Sequence, residues 1–396
     1  MSPRLLNFFA VFFFLLTVCA IAWVGIVYTN PATALNPFPP PTVAPTARLL
    51  PMAIITRLPT QIAEPVTPTP TAGITQTVAL ESPVPTTPTA TAPPTYTPLS
   101  PATPTALPPS TPVPQTALGE FEMGGQASGF NQIDSMRYSG MTWIKKQQRW
   151  GPGDKAADAA ATISEAHRKG FKILLSVLGD AESLRGGANY GEYARYVGDL
   201  AALKADAIEV WNEMNIDREW PGGEISGSAY TDMLRRSYNA IKGRNSGTLV
   251  ISGAPAPTGA EGAFGLDHVW NDIRYINDMA AAGAVNYMDC IGAHYNEGII
   301  SPTLSSGDPR DGYYTRYFSG MVNTYFAAFG GARKVCFTEL GYLTDEGYAD
   351  LGQVAPSFAW AASTTLAQQA QWLAEAASLS SSGGKVRLMI IFNVDL

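Results

Sequence analysis

Residues 207–215 read AIEVWNEMN, and residues 334–342 read KVCFTELGY. Each stretch contains a short run of mainly apolar residues, several of them β-branched or aromatic, which indicates a buried strand. Each run leads to a carboxylate, Glu213 or Glu339, and a protein core rarely accepts such a group without a partner. The two stretches therefore predict two strands of a parallel sheet whose carboxyl ends carry acidic side chains.

Similar runs occur six more times between residues 119 and 396, and segments of helical period such as residues 230–241 separate them. Strand and helix in eightfold alternation predict an α/β domain of the (β/α)₈ (TIM) barrel class. A doubly wound open sheet is the alternative, but the first predicted strand is not followed by the GxGxxG loop that such sheets usually carry. Leu396 directly follows the eighth strand, so the helix that would cover this strand is either absent or lies beyond this sequence. The predicted strands are residues 120–124, 142–150, 172–178, 207–213, 248–254, 287–294, 334–339 and 385–392.

Two segments precede this domain. Residues 5–28 form an uncharged apolar run, which is longer than the roughly 20 residues that span a bilayer. Arg4 precedes the run, so the positive-inside bias predicts a cytoplasmic N terminus and an extracytoplasmic remainder. A cleaved signal peptide is the alternative, and it would also export the domain. Residues 30–118 hold 23 of the 31 prolines, many in repeated Thr-Pro steps, which predicts a disordered linker. We therefore predict a transmembrane signal anchor over residues 1–29, a linker over residues 30–118 and a barrel over residues 119–396.

Composition excludes several classes of function. The net charge is −7 and no cluster of Lys and Arg occurs, so nucleic acid is not an expected partner. The chain has three histidines and no HExxH motif, so we expect no catalytic metal, and no organic cofactor either. Cys290 and Cys336 each fall inside an apolar run. We interpret them as two buried thiols rather than as a disulfide.

The two carboxylates carry the chemistry that the sequence predicts. The strands that end near Glu213 and Glu339 are the fourth and the seventh, and these face each other across an eight-stranded barrel. Enzymes use paired carboxyl groups at one end of a barrel to cleave glycosidic bonds. In retaining enzymes one carboxyl group protonates the leaving oxygen and the other attacks the sugar, at a separation of ~5–5.5 Å.

The segments WNEMN and FTELGY resemble the acid/base and nucleophile motifs of the clan A glycoside hydrolases. The order of elements over residues 119–396 agrees with this resemblance, although only the two motifs are specific. The resemblance implies that Glu213 is the acid/base and Glu339 the nucleophile. It also implies that Asn212 binds the 2-hydroxyl of a β-linked carbohydrate substrate.

The same resemblance suggests further substrate contacts at other strand ends. Arg149 would lie near the nucleophile and keep it ionised, beside Trp150. His294 and Tyr295 follow the sixth strand, where the clan often has His-x-Tyr, so this Tyr stands one position early. Phe392 stands where such barrels usually offer a Trp as a sugar platform, and Trp150 or Trp220 could supply the stacking surface instead.

Two other functions are compatible with the same sequence. The barrel could bind carbohydrate at the cell surface without turnover, or it could serve as a structural protein displayed on a stalk. Glu209 has the same strand parity as Glu213, and we interpret it as a structural ion-pair residue inside the barrel rather than as a third catalytic group.

Overall fold

The computed structural model of the protein describes residues 120–395. The predicted anchor and linker lie outside this range. Among residues 120–395, no helix combines the length and the apolar character that crossing a bilayer requires.

Eight strands form one parallel sheet, in which β1 pairs with both β2 and β8. The order is β5-β4-β3-β2-β1-β8-β7-β6. A parallel bridge between Ile251 and Cys290 joins the two outer strands, so the barrel is nearly closed. The predicted (β/α)₈-like class is thereby confirmed over the described residues. The strands are β1 (Glu122–Gln126), β2 (Trp143–Trp150), β3 (Lys172–Gly179), β4 (Ala207–Val210), β5 (Leu249–Ser252), β6 (Ile291–Tyr295), β7 (Val335–Leu340) and β8 (Val386–Ile391).

An α-helix lies in each of the seven connections between successive strands. Local sequence defines the start of two of them: the Ser226 hydroxyl accepts a bond from the Ala229 N–H, and Thr365 forms a capping box with Gln368. The helices are α1 (Ile133–Tyr138), α2 (Ala160–Arg168), α3 (Tyr190–Ala202), α4 (Gly227–Arg244), α5 (Asp272–Ala281), α6 (Phe318–Ala328) and α7 (Leu366–Gly383). One-turn helices (Glu261–Phe264, Leu351–Val354) and 3₁₀ segments (Ala156–Ala159, Ala181–Gly187, Ala284–Tyr287, Tyr314–Arg316, Pro356–Ala361) occupy the loops.

The strands bury both faces. Their outward side chains pack against the helices in one large apolar cluster, and their inward side chains form a second cluster inside the barrel. The near-continuous apolar character of the strands follows from this double burial. The inner cluster consists of Trp143, Leu174, Ala207, Leu249, Ile251, Cys290, Cys336, Leu388 and Ile390.

Cys290 and Cys336 form a disulfide in this inner cluster, so the prediction of two separate thiols is wrong. Cys290 directly precedes β6, and Cys336 lies within the neighbouring strand β7. Their Cα atoms are 5.8 Å apart, a distance that a disulfide spans. The two residues are 46 positions apart in the sequence, and only the pairing of β6 with β7 brings them together.

Candidate active site

The chain turns sharply where β4 ends at Val210. Trp211 (φ 69°) and Glu213 (φ 43°) both adopt the left-handed backbone conformation, which residues other than glycine rarely adopt. The Trp211 N–H donates to the Tyr193 hydroxyl at 3.0 Å, and the Glu213 N–H donates to the Ala254 carbonyl at 2.9 Å. Neighbouring elements thus hold a strained turn of the kind that is common at functional sites.

Glu339 lies near the end of β7, next to a shift in the register of that strand. Its Oε1 accepts a hydrogen bond from Lys145 Nζ at 3.1 Å, and its Oε2 accepts one from Asn296 Nδ2 at 3.2 Å. The Lys145 side chain is completely buried and also lies 3.6 Å from Oε2 of Glu209. Glu339 is thus a nearly buried carboxylate with a cation and an amide donor directly on its two oxygens.

Glu209 is fully buried inside the barrel, as the sequence predicted. Its Oε1 accepts hydrogen bonds from the Thr338 hydroxyl at 2.6 Å and from the Ala254 N–H at 3.3 Å. Because Glu209 shares Lys145 with Glu339, this lysine balances two acidic side chains below the barrel mouth. Glu209 is an ion-pair residue here.

His294, on β6, brings the two candidate catalytic residues together. Its Nδ1 lies 3.2 Å from Oε1 of Glu213 and 3.9 Å from Oε2 of Glu339. These two oxygens are therefore at most about 7 Å apart, a range that includes the ~5–5.5 Å between the carboxyl groups of retaining glycosidases. The two carboxylates meet at one rim of the barrel.

The charges of these three groups are strongly linked. Burial acts to raise the pKa of Glu339, but the positive charges of His294 and Lys145, with hydrogen bonds from Lys145 and Asn296, hold that pKa below its usual value. Burial acts to lower the pKa of His294, yet the neighbouring carboxylates raise it. Glu339 is therefore ionised at neutral pH, as a nucleophile must be.

The pKa of Glu213 also lies below its usual value, here because of His294 and Arg218. Burial and the negative charge of Glu339 act to raise the pKa of Glu213, but the hydrogen bond and charge of His294 and the charge of Arg218 lower it further. Arg218 Nη2 lies 2.6 Å from Oε2 of Glu213, and the arginine side chain is 70% exposed. A general acid needs a raised pKa, so Arg218 acts against the protonated form of Glu213.

Replacing Arg218 should shift the pKa of Glu213 in one known direction. Arg218→Gln removes a positive charge that lowers the pKa of Glu213, so the pKa should rise. If Glu213 must be protonated, the alkaline limb of kcat/KM against pH moves to higher pH. Arg185→Gln, which removes another exposed arginine paired with carboxylates, is the control and should leave the limb in place. An unchanged or lowered limb in Arg218→Gln would exclude Glu213 as the acid.

Asn212 is nearly buried, whereas Phe392 is partly exposed. Asn212 is 6% exposed, and its side-chain oxygen has no hydrogen-bond partner among the described residues. A buried acceptor without a partner costs free energy, which a ligand hydroxyl would recover. Phe392 is 40% exposed beyond the end of β8, and a cis peptide bond follows it.

The structure corrects the interpretation of four residues, Arg149, Trp150, Tyr295 and Trp220. Arg149 is exposed, and the cation on Glu339 is Lys145 instead. Trp150 is buried against Tyr193 and Trp211, so it offers no face to a sugar.

Tyr295 lies in the outer layer, because its neighbour His294 points inward and side chains alternate along a strand. Its ring packs on Phe318 and Phe337, and its hydroxyl donates to the Arg316 carbonyl. Tyr295 therefore does not orient Glu339. Trp220 is also buried, among Trp211, Tyr190 and Tyr230.

Sequence reasoning missed two residues that contact Glu339. Lys145 lies two positions after Trp143 in β2 and shares its inward parity, and a buried lysine signals an acidic partner. Asn296 follows His294 by two positions, which is where the expected His-x-Tyr pattern has its tyrosine. Both signals were present in the sequence.

Two cavities lie near the carboxyl ends of the strands. The larger, of about 660 Å³, lies between the segments that follow β6, β7 and β8, and it is lined by Asn296 and Phe392 among others. The smaller, of about 280 Å³, lies at the ends of β1, β2 and β8. Its lining is mainly polar and consists of Gln126, Ala127, Ser128, Lys146, Gln147, Asn393 and Asp395. Among residues 120–395, no group of three or more His, Cys, Asp or Glu side chains is arranged to hold a metal ion.

Fold and site together define a (β/α)₈-like barrel with paired carboxylates at the ends of β4 and β7. Solved structures to which the chain is similar include the catalytic domain of Thermobifida fusca endoglucanase Cel5A (E5), with 15% identity, coverage of 70% of this chain and 79% of that chain, and a TM-score of 0.40. Thermotoga maritima Cel5A in complex with mannotriose has 11% identity, coverage of 69% and 90%, and a TM-score of 0.42. A GH5-4 broad specificity endoglucanase from Clostridium longisporum has 11% identity, coverage of 67% and 76%, and a TM-score of 0.44.

No family model and no curated protein matches the chain. The two motifs predict a likeness to glycoside hydrolases, and the solved structures that are similar to this chain include endoglucanases.

Proposed function

We propose that this protein is a retaining glycoside hydrolase that cleaves a β-linked saccharide, with Glu339 as nucleophile and Glu213 as acid/base. The observation that carries the proposal is the convergence of Glu213 and Glu339 on His294 Nδ1, with Glu339 held ionised by Lys145 and His294. Two carboxyl groups that meet at one rim of a barrel, one ionised and one able to exchange a proton, are what glycosidic double displacement requires.

The proposed reaction has two steps. In the first, a Glu339 oxygen forms a bond to the anomeric carbon, the glycosidic C–O bond breaks, and the Glu213 proton passes to the leaving oxygen. In the second, Glu213 takes a proton from water, the water oxygen bonds to the anomeric carbon, and Glu339 leaves as a carboxylate. The side-chain oxygen of Asn212 has no hydrogen-bond partner among the described residues and is the acceptor that we propose for the 2-hydroxyl. The polar cavity at β1, β2 and β8 offers amide and charged groups to a neighbouring sugar unit.

The electrostatics support a change in the role of Glu213 between the two steps. The negative charge of Glu339 acts to raise the pKa of Glu213, against His294 and Arg218, which keep that pKa below its usual value. Once Glu339 is an ester, that charge is gone and the pKa of Glu213 falls. Glu213 then acts as a base in the second step, as microscopic reversibility demands.

Replacement of the acid/base separates this mechanism from simple binding. Glu213→Gln should lower kcat/KM by about 10²–10⁴-fold for glycosides with poor leaving groups, which need protonation. Dinitrophenyl glycosides leave without a proton, so their cleavage step should lose much less. The measurement is kcat/KM across a series of leaving groups, with Glu224→Gln, a residue of the same loop that pairs with Arg185, as the matched control. An equal loss for all leaving groups would contradict the acid role.

The decisive experiment is a panel of aryl β-glycosides together with a fluoro-sugar that traps the covalent intermediate. The proposal predicts turnover of at least one glycoside and a label on Glu339. A label on any other residue would contradict the nucleophile assignment. Carbohydrate binding without turnover or label would identify a carbohydrate-binding barrel instead.

We further propose that the barrel is extracytoplasmic and tethered to the membrane through the apolar run of residues 5–28. The Cys290–Cys336 disulfide supports this location, because such bonds persist mainly in oxidising compartments. Protease added to intact cells should release the barrel into the medium, and lysed cells serve as the control for total cleavage. Protection of the barrel in intact cells would exclude this location.

A further inference from the structure

The larger cavity beside the site is mainly apolar. Its lining includes Leu343, Tyr348, Leu351, Ala355, Phe358 and Leu366, which belong to the segment between β7 and α7 and to the first residue of α7. The cavity begins at Asn296, whose side chain bonds Glu339, and at Phe392 beyond β8. The cavity therefore adjoins Glu339 through Asn296.

The polar groups of this cavity are distributed unevenly. Gln369 donates to the Tyr342 carbonyl at 2.6 Å, and the Thr344 hydroxyl donates to the Thr364 carbonyl. Both donors are thus used by the protein itself. Asn296 and Asn393, by contrast, each keep a side-chain oxygen without a partner at the ends of β6 and β8. A ligand would find hydrogen-bond acceptors beside Glu339 and apolar side chains in the rest of the cavity.

The rim of the cavity is apolar as well. Tyr348, Phe358, Leu366 and Phe392 line it and are 40–72% exposed. Isolated exposed apolar side chains are common on protein surfaces, but a group of them around one cavity marks a binding site. Aromatic rings stack on the face of a sugar, but the aliphatic side chains Leu343, Leu351 and Leu366 offer a sugar hydroxyl no hydrogen bond.

The position of the cavity indicates which part of the substrate it receives. Its lining comes from the segments after β6, β7 and β8 and includes none of the residues after β4. Glu213, which has to reach the leaving oxygen, follows β4. The leaving group therefore lies on the β4 side, and the sugar that Glu339 attacks lies on the side of the cavity.

Resting on the proposed hydrolase function, we propose that this cavity binds an apolar acyl group carried by the sugar whose anomeric carbon Glu339 attacks. The substrate class is then an acylated glycoside. Each CH₂ group buried on binding strengthens binding about fourfold, so even part of a medium-length chain gives a large preference.

The first experiment takes an aryl β-glycoside that the protein hydrolyses and compares it with the mono-octanoyl esters of the same glycoside. We expect kcat/KM of at least one ester to exceed that of the parent by at least tenfold. Ala355→Trp places an indole in the cavity and should reduce this ratio to about one. Val354→Trp adds the same side chain at the adjacent exposed residue, which does not line the cavity, and should keep both the ratio and the activity on the parent glycoside.

A second experiment is independent of turnover. Titration with the apolar dye 1-anilinonaphthalene-8-sulfonate should give equal affinity for the wild type and Val354→Trp, and at least tenfold weaker binding for Ala355→Trp. Equal dye binding by both variants would overturn the cavity proposal even if no glycoside were hydrolysed. Hydrolysis without any ester preference, or a preference for apolar leaving groups instead, would overturn it while leaving the hydrolase proposal intact.

Discussion

Glu339→Gln should lower kcat on the order of 10⁴-fold or more, since the loss of a nucleophile removes the covalent route altogether. The amide keeps the size of the carboxylate and can still contact Asn296 and Lys145, so the barrel should fold as before. Binding of the substrate should therefore persist, and calorimetric titration of the variant with the intact saccharide would measure it. A variant that keeps more than about a tenth of wild-type kcat would show that Glu339 is not the nucleophile.

Two controls sharpen this result. Glu165→Gln, on the exposed side of α2, makes the same chemical change far from the mouth and should leave kcat unchanged. Glu339→Ala with added azide should form a glycosyl azide of inverted configuration, because azide then attacks from the side that Glu339 has vacated. Glu213→Ala with azide should instead give the retained configuration. Exchange of these two products would reverse the roles of Glu213 and Glu339.

The two acidic residues could be predicted from sequence because their signal is local. A carboxylate at the end of a buried apolar run is unusual within a few residues, and the barrel class follows from the alternation of such runs with helices. The predicted strands mostly agree with the observed ones to within a few residues; β4, for example, ends at Val210 rather than at Glu213. The observed strand ends earlier because the chain turns through the left-handed conformation at Trp211 and Glu213. Residue types do not signal such a turn, so the sequence could not predict where the strand ends.

The contacts around the carboxylates were less accessible to sequence reasoning, because they depend on register between strands. Arg149 and Lys145 share strand parity, and only their depth along β2 decides which of them meets Glu339. Tyr295 was assigned to the site although His294 beside it has the inward parity, so the alternation of side chains along β6 already argued against it. The disulfide likewise requires the pairing of β6 with β7.

Lys145→Met should have a large effect on two properties, the stability of the fold and the pH dependence of catalysis. The lysine side chain is fully buried between Glu209 and Glu339, and removing one partner of a buried ion pair typically costs about 3–5 kcal/mol of stability. Urea denaturation should show this loss. Lys172→Met, at an exposed lysine that pairs with Glu122, is the matched control and should cost about 1 kcal/mol or less.

The catalytic part of this effect can be separated from the structural part. Glu209→Gln in the Lys145→Met background removes the second buried negative charge, so it should restore part of the stability. It should not restore activity, because Glu339 still lacks its cation. Without Lys145 the pKa of Glu339 rises, and since the nucleophile must be ionised, the acidic limb of kcat/KM against pH moves to higher pH. A double variant with restored stability and an unshifted acidic limb would mean that Lys145 only supports the fold, and that His294 and Asn296 alone keep Glu339 ionised.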